Sequence, residues 1–230
     1  MLKDTFFSLP RFVNVCRKDM VESWKTNLLR VAMMFGVMLV LFLLIGYLQY
    51  EDQGKYHGTY DSMVEFSLGV FLWVGLICGV LSASFNMEKM KSKTSRVSML
   101  MTPATPFEKF LSRWLISTVV YIVVFLILFK LADYTRVMTF SLAYPDLVIV
   151  PSKLGYIVAD EGQYSLFPNL EGKYLLFMCY PLIQSFFVLG SSIWAKNSFV
   201  KTFVLSFVFV MFYGAVIGIV SHLLFRNMSG

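Results

Sequence analysis

The chain has 230 residues, of which 57% are hydrophobic and only 15% are charged, and its mean hydropathy is strongly positive. A soluble domain carries about a quarter charged residues, so this composition excludes a soluble globular domain. The net charge of +6 is consistent with membrane orientation and anionic lipid, and it does not predict nucleic-acid binding.

Residues 8–26 predict an amphipathic helix ahead of the first apolar run. Ser8 can cap it and Pro10 suits its first turn. Charged side chains occupy the other faces. Apolar side chains recur every four residues, at Phe12, Cys16, Met20 and Trp24. Such a helix lies in the membrane plane, where it serves either as a topological anchor or as a docking element for a partner protein.

Runs of about 20 apolar residues are long enough to cross a hydrocarbon core of about 30 Å, and every backbone polar group inside that core must be paired within the protein. These runs predict a single all-α, polytopic membrane helix bundle over residues 1–230. The five predicted spans are residues 31–50, 66–87, 114–130, 174–195 and 202–225.

Lysine and arginine concentrate in the cytoplasmic loops of membrane proteins. With the N-terminus inside, the inner segments hold fourteen of the twenty Lys and Arg residues, while nine of the fourteen acidic residues lie outside. The inner net charge is then +9 and the outer −3. The sequence therefore predicts a cytoplasmic N-terminus and a cytoplasmic basic loop between spans two and three.

A helix start is predicted inside that basic loop. Thr105 is the N-cap, Pro106 takes the first helical position, and Glu108 can close a capping box by reaching back to the backbone N–H of Thr105. Pro103 breaks the chain just before it. The new helix should run into span three at Trp114.

Residues 133–172 are predicted to form an outer segment of about forty residues between spans three and four. Two short apolar stretches within it, 147–150 and 156–159, either pair as a hairpin or lie along the membrane interface. Neither is long enough to cross the membrane.

The sequence shows no catalytic constellation, so we predict no enzyme activity and no cofactor. The three cysteines and two histidines have no zinc or disulfide spacing, and a nucleotide-binding Walker A pattern is missing. His222 is an ionisable side chain near the outer end of span five, where it is either a functional group or an interfacial residue. The spans carry Gln184 but no midplane carboxylate, which argues against ion-coupled secondary transport.

Two small-xxx-small motifs predict close helix packing. Gly75 and Gly79 lie in span two, and Gly214 and Gly218 lie in span five. We expect spans two and five to pack tightly, either within one chain or across a dimer.

The stretch 90–113, which reads MKSKTSRVSMLMTPATPFEKFLSR, resembles the loop between spans two and three of bacterial ABC-2-type permease-like proteins. There, a basic segment precedes a pattern of the form LMLPAS-x-x-EKFL-x-R. Residues 189–202 are similar to the cytoplasmic turn between spans four and five of the same group. The two stretches cover about a sixth of the chain.

The resemblance implies a membrane-spanning transporter subunit in the bacterial cytoplasmic membrane, which dimerises and binds a separate ATP-binding cassette subunit. It assigns six residues to the ATPase-coupling or hinge region: Arg96, Met99, Leu100, Glu108, Lys109 and Arg113. The simpler reading is that Glu108 only caps a helix and that the basic residues only set topology and touch lipid. Permeases of this group commonly have six spans, whereas five are predicted here. The second hypothesis is therefore a non-transporting membrane scaffold or an immunity-type protein.

Overall fold

A computed structural model describes residues 6–53, 62–85, 97, 100–145, 149–153, 155–158, 170–194 and 197–225, and it contains helices but no strand in these ranges. The helices form an all-α bundle, which confirms the predicted fold class. A π-helical turn, Ile116–Val120, joins α4 to α5. The α-helices are α1 Leu9–Glu22, α2 Trp24–Gln53, α3 Ser62–Ser84, α4 Pro106–Leu115, α5 Tyr121–Ala143, α6 Gly155–Val158, α7 Leu170–Ile193 and α8 Ser198–Phe225.

Five helices in the described part of the chain are long and apolar enough to cross a membrane, as the sequence predicts. The chain is therefore a multi-pass α-helical membrane protein. The third of these helices, Pro106–Ala143, combines α4, the π-turn and α5 and has 38 residues. At 1.5 Å per residue it is about 57 Å long, well beyond the hydrocarbon thickness. The sequence prediction places its charged first turns outside the bilayer, which the helix enters at Trp114.

Two helices extend beyond the predicted spans. The helix of the first span begins at Trp24, and Ser23 alone separates it from α1. The third helix continues to Ala143, about ten residues into the predicted outer segment. Of the two short apolar stretches, 149–150 has no regular structure and 155–158 is a single helical turn; residues 147–148 and 159 lie outside the described residues.

The core lies around α3, which contacts α2, α5 and α7. Between α2, α3 and α5, aromatic rings interlock: the Phe71 and Phe129 rings are 5.0 Å apart, and the Phe42 and Phe129 rings are 5.9 Å apart. A second cluster joins α3 to α7 through Val80, Phe187 and neighbouring residues. Helix α8 packs on α7 at Gly190, where a Cβ atom would collide with Thr202.

The four glycines predicted to mediate helix packing have different surroundings. Built Cβ atoms at Gly75 and Gly79 would lie 2.9 Å from the Phe125 ring of α5 and 3.0 Å from the Tyr180 hydroxyl of α7. Span two thus uses its glycines against spans three and four. Gly214 and Gly218 meet no atom within 4 Å beyond their own helix, so the expected contact with span five does not form through these glycines within the described chain.

Candidate functional site

The site begins with the local start of α4, which forms as the sequence predicts. Thr105 is extended, its hydroxyl accepts from the Glu108 N–H at 3.3 Å, and Glu108 Oε2 accepts from the Thr105 N–H at 3.1 Å. The reciprocal capping box is confirmed. It fixes the Glu108 side chain at the first turn of α4 because both ends of the residue are held.

Glu108 also holds α1, about a hundred residues earlier in the chain. Arg11 donates from Nε to Oε2 at 2.7 Å and from Nη2 to Oε1 at 2.9 Å, which is a bidentate contact. The backbone N–H of Ser8 donates to Oε1 at 2.8 Å. One carboxylate thus accepts from an arginine and from two backbone N–H groups. We call Ser8, Arg11, Thr105 and Glu108 the basic-end cluster.

The environment of Glu108 keeps it ionised. Its side chain is fully buried, whereas that of Arg11 is 30% exposed. Hydrogen bonds from Arg11 lower the pKa of Glu108 from 4.5 to about 2, with further lowering by the Ser8 and Thr105 N–H groups and partial opposition from burial. The ion pair is therefore fully formed at neutral pH.

Further polar contacts extend the α1–α4 interface along both helices. Lys18 Nζ donates to the Thr102 hydroxyl at 2.8 Å. Asp19 accepts from the Ser112 hydroxyl at 3.2 Å and lies 3.6 Å from Arg113 Nε. The two helices are held at several points, so they can move as one body.

Lys109 lies in a positive environment at the same interface. Burial, and then the charges of Lys18 and Arg113, lower the pKa of Lys109. This side chain is only half-buried, so a negatively charged group from outside the chain would find it accessible.

Apolar side chains remain exposed around this interface. Leu100 is 73% exposed, Met101 is 80% exposed, and Phe6, whose ring lies 5.0 Å from that of Phe107, is 70% exposed. On α1, Leu9, Val13 and Met20 are also exposed, as is Trp24 at the start of α2. Exposed apolar side chains of this kind are typical of a helix at a lipid interface.

The residues predicted for ATPase coupling therefore divide by position. Glu108 and Arg113 are buried against α1, Lys109 is half-buried, and Leu100 is exposed. Arg96 and Met99 lie outside the described residues. A role of these six residues in binding an ATPase stays a prediction.

Sequence reasoning missed the α1 half of the site. It placed Arg11 and Lys18 only on the faces of the helix other than its apolar one and gave Asp19 no role. The available signal was the spacing of Arg11, Val15 and Asp19, which puts two charged groups of opposite sign and one apolar side chain on a single face of α1.

No protein-family model matches the chain, and no curated protein and no solved structure matches it either. Among the described residues, no group of three or more His, Cys, Asp or Glu side chains is arranged to hold a metal ion. The function of the chain is therefore inferred from the site itself.

Proposed function

We propose that this chain is the membrane-spanning subunit of an ABC transporter of the ABC-2 type, located in the bacterial cytoplasmic membrane and driven by a separate ATP-binding subunit. One observation carries the proposal. Helix α4, in the stretch that resembles the coupling loop, is fixed to α1 through Arg11 and Glu108 and continues into the third span without an intervening loop.

The arrangement suits transmission of a mechanical push. A partner that presses on the exposed Leu100 and Met101 would move α4, and the Arg11–Glu108 contact would carry α1 with it. Closure of an ATPase dimer on ATP would in this way bias the spans between inward-facing and outward-facing arrangements.

The exposed surface also suits a protein partner. Methionine and aromatic residues are enriched at protein interfaces, and Phe6, Leu100 and Met101 supply such a surface beside half-buried Lys109. The buried polar residues Glu108 and Arg113 belong to the support beneath this surface, where they keep α4 in place.

Co-purification tests the proposal with a matched pair of variants. Leu100→Glu places a charge on the proposed contact surface, and Leu142→Glu places one on a side chain of similar exposure at the opposite end of the third helix. We expect mass spectrometry to identify a Walker A-containing ATPase with the wild type and with L142E, and several-fold less of it with L100E. A folded wild-type protein that captures no such ATPase after cross-linking in cells would contradict the proposal.

We also propose that the subunit dimerises, as the resemblance implies. Gly214 and Gly218 of α8 are open on their own helix surface, which leaves them available to a second copy. Disulfide formation by Gly214→Cys in native membranes tests this contact, with Phe212→Cys, an exposed position on the far side of the helix, as the control. A 214 cross-link no stronger than the 212 cross-link would contradict it.

A non-transporting scaffold or immunity-type protein is the second candidate. It is favoured by the placement of Gln184, a strongly polar side chain of the fourth span, which is 2% exposed and binds a backbone carbonyl of the third helix. This polar group serves packing. Capture of a partner that is no ATPase, released by Leu100→Glu, would favour this candidate.

A further inference from the structure

The third helix changes its geometry between the α4 contact and the membrane core. Residues Ile116–Val120 form a π-helical turn, in which the Tyr121 N–H bonds the Ile116 carbonyl five residues earlier. Such turns account for well under 1% of residues in proteins and occur frequently at functional sites. This one directly follows α4.

Two neighbouring helices hold this turn through one atom. The Ser117 carbonyl accepts from the Ser82 hydroxyl of α3 at 3.2 Å and from the Gln184 side-chain amide of α7 at 3.2 Å. A π-turn widens the helix and presents its carbonyls outward, so side chains from other helices can bind them. Three spans thus meet at the Ser117 carbonyl.

A buried hydroxyl in the turn points to a second state. Thr118 is 8% exposed, and its hydroxyl has no hydrogen-bond partner in the part of the chain that the structure describes. An unpaired buried hydroxyl is costly. In a regular α-helix, a threonine hydroxyl can bond the carbonyl four residues earlier, here that of Trp114, which also accepts from the Ser117 hydroxyl at 3.1 Å and has a second lone pair. The α-register therefore offers Thr118 a partner that the π-register does not.

The α1–α4 pair is joined to the bundle at two places where the helix is irregular. At one side lies the π-turn; at the other lies Ser23, where the helix is interrupted between α1 and α2 and the Ser23 hydroxyl bonds the Asp19 carbonyl at 2.6 Å. Within the pair, Arg11 and Glu108 join the two helices rigidly. Both connections to the spans are thus places where helix geometry changes.

We propose that the π-turn is a two-state switch. In the state seen here, Ser82 and Gln184 hold the Ser117 carbonyl and keep the turn π-helical. In the other state the turn is α-helical, and α4 rotates about its axis by up to about 100°, one residue of helical turn, carrying α1 about Ser23. The proposal does not rest on the identity of any partner.

Spin-label distances in the full chain test the switch. Labels at Phe110→Cys on α4 and Ile193→Cys on α7, both exposed positions, report rotation of α4 against the bundle. The three native cysteines are replaced by serine, and the protein is studied in lipid nanodiscs. A rotation of about 100° at a helix surface about 5 Å from the axis displaces a label by about 8 Å.

Two variants test the switch from opposite sides. Gln184→Leu removes a hydrogen bond that holds the turn, so the α-helical state should become populated. Deletion of Val119, whose side chain is 45% exposed, removes the extra residue of the wide turn, so an α-helical turn then leaves α4 in its present orientation. Ser185→Leu, next in sequence to Gln184 and exposed, is the matched control. We expect one main distance in the wild type, in S185L and in the Val119 deletion, and a second, shifted by about 8 Å, in Q184L.

The switch is overturned if folded Q184L shows only the wild-type distance. A Val119 deletion that folds with the shifted distance overturns it too. Should that deletion fail to fold, the Gln184→Leu result alone decides. Deletion of Ile127, in the regular part of α5, is the control for a simple shift of helix register. It rotates every later residue of the helix and should therefore prevent folding.

Discussion

The two ends of the third helix carry the same kind of contact, built in two ways. At the basic end, Glu108 binds Arg11 of another helix and the Ser8 N–H. At the opposite end, Asp133 binds Arg136 of its own helix at 3.0 Å and the Ser152 N–H at 2.7 Å. In both contacts, a carboxylate accepts hydrogen bonds from an arginine and from a backbone N–H that is distant in the chain.

The two contacts differ in which helix supplies the arginine. Asp133 and Arg136 are three residues apart on α5, and their side chains are 1% and 0% exposed, so charge balance is complete within one helix. Arg136 also donates to the Tyr50 hydroxyl and to the Val150 carbonyl, at 2.9 Å for the latter. We call Tyr50, Asp133, Arg136, Val150 and Ser152 the opposite-end cluster. It fixes a loop to the bundle, whereas the basic-end cluster joins two helices that are distant in the chain.

The largest effect is expected in the opposite-end cluster. Arg136→Leu leaves Asp133 buried without its counter-charge, and we expect the free energy of unfolding to fall by about 3–5 kcal/mol. Reversible unfolding in mixed micelles measures it. Lys153→Met, an exposed residue at the same end, is the control. Adding Asp133→Leu should restore part of the loss, and an R136L protein as stable as K153M would refute the comparison.

At the basic end, the expected effect is local. Glu108→Gln removes the charge that binds Arg11, so α1 should detach while the bundle stays folded. Trypsin cleavage at Arg17 and Lys18 should accelerate on the order of tenfold, because charge-assisted hydrogen bonds are the strong ones. Glu22→Gln on the exposed side of α1 is the matched control. Equal cleavage rates for the two variants would show that Glu108 does not hold α1.

The basic-end cluster should also respond to pH. The pKa of Glu108 is lowered from 4.5 to about 2 on folding, so its contribution is fully present above 4.5 and is lost as pH falls toward 2. The difference in α1 cleavage between wild type and Glu108→Gln should therefore persist from pH 7 to 5 and shrink below 4.5. An acid protease such as pepsin measures it there. A difference that is unchanged at pH 3 would contradict the assignment.

The smallest expected effect concerns the cap of α4. Thr105→Ala removes the hydroxyl that accepts from the Glu108 N–H, which typically costs about 1 kcal/mol. Thr105→Ser keeps the hydroxyl and should match the wild type. Thermal unfolding of T105A and T105S, measured side by side, tests this difference in stability. Loss of stability in both would assign the effect to the methyl group instead.

The sequence predicts most of the fold because its determinants are local or periodic. Hydropathy gives the five spans, and the Thr105–Glu108 capping box depends only on residues three apart. The continuation of the third helix to Ala143 was not predicted, since Asp133 and Arg136 read as loop charges when counted singly. Their spacing of three on a helix lets them neutralise one another inside the protein.

The candidate site was only half predictable. Arg11 and Glu108 are 97 residues apart, and no periodic pattern specifies which cation a buried carboxylate will meet. The π-turn was not predicted at all, because no pattern in its residues, four of which are β-branched, specifies it, and Ser82 and Gln184, which bind its Ser117 carbonyl, come from other helices. Glu108 was recognised as a cap, and its second role emerges only from tertiary packing.

Disulfide cross-linking tests the central claim, that α1 is docked on α4, most directly. The Cys16 thiol lies within hydrogen-bonding reach of the Ser112 hydroxyl, and burial raises the pKa of this thiol, so oxidation is best run at alkaline pH. In native membranes with Cys78 and Cys179 replaced by serine, Cys16 should cross-link to Ser112→Cys far faster than to the exposed Phe110→Cys, and Arg11→Gln should slow the reaction. Equal rates for the 112 and 110 positions, with both thiols accessible to maleimide, would contradict the docked arrangement.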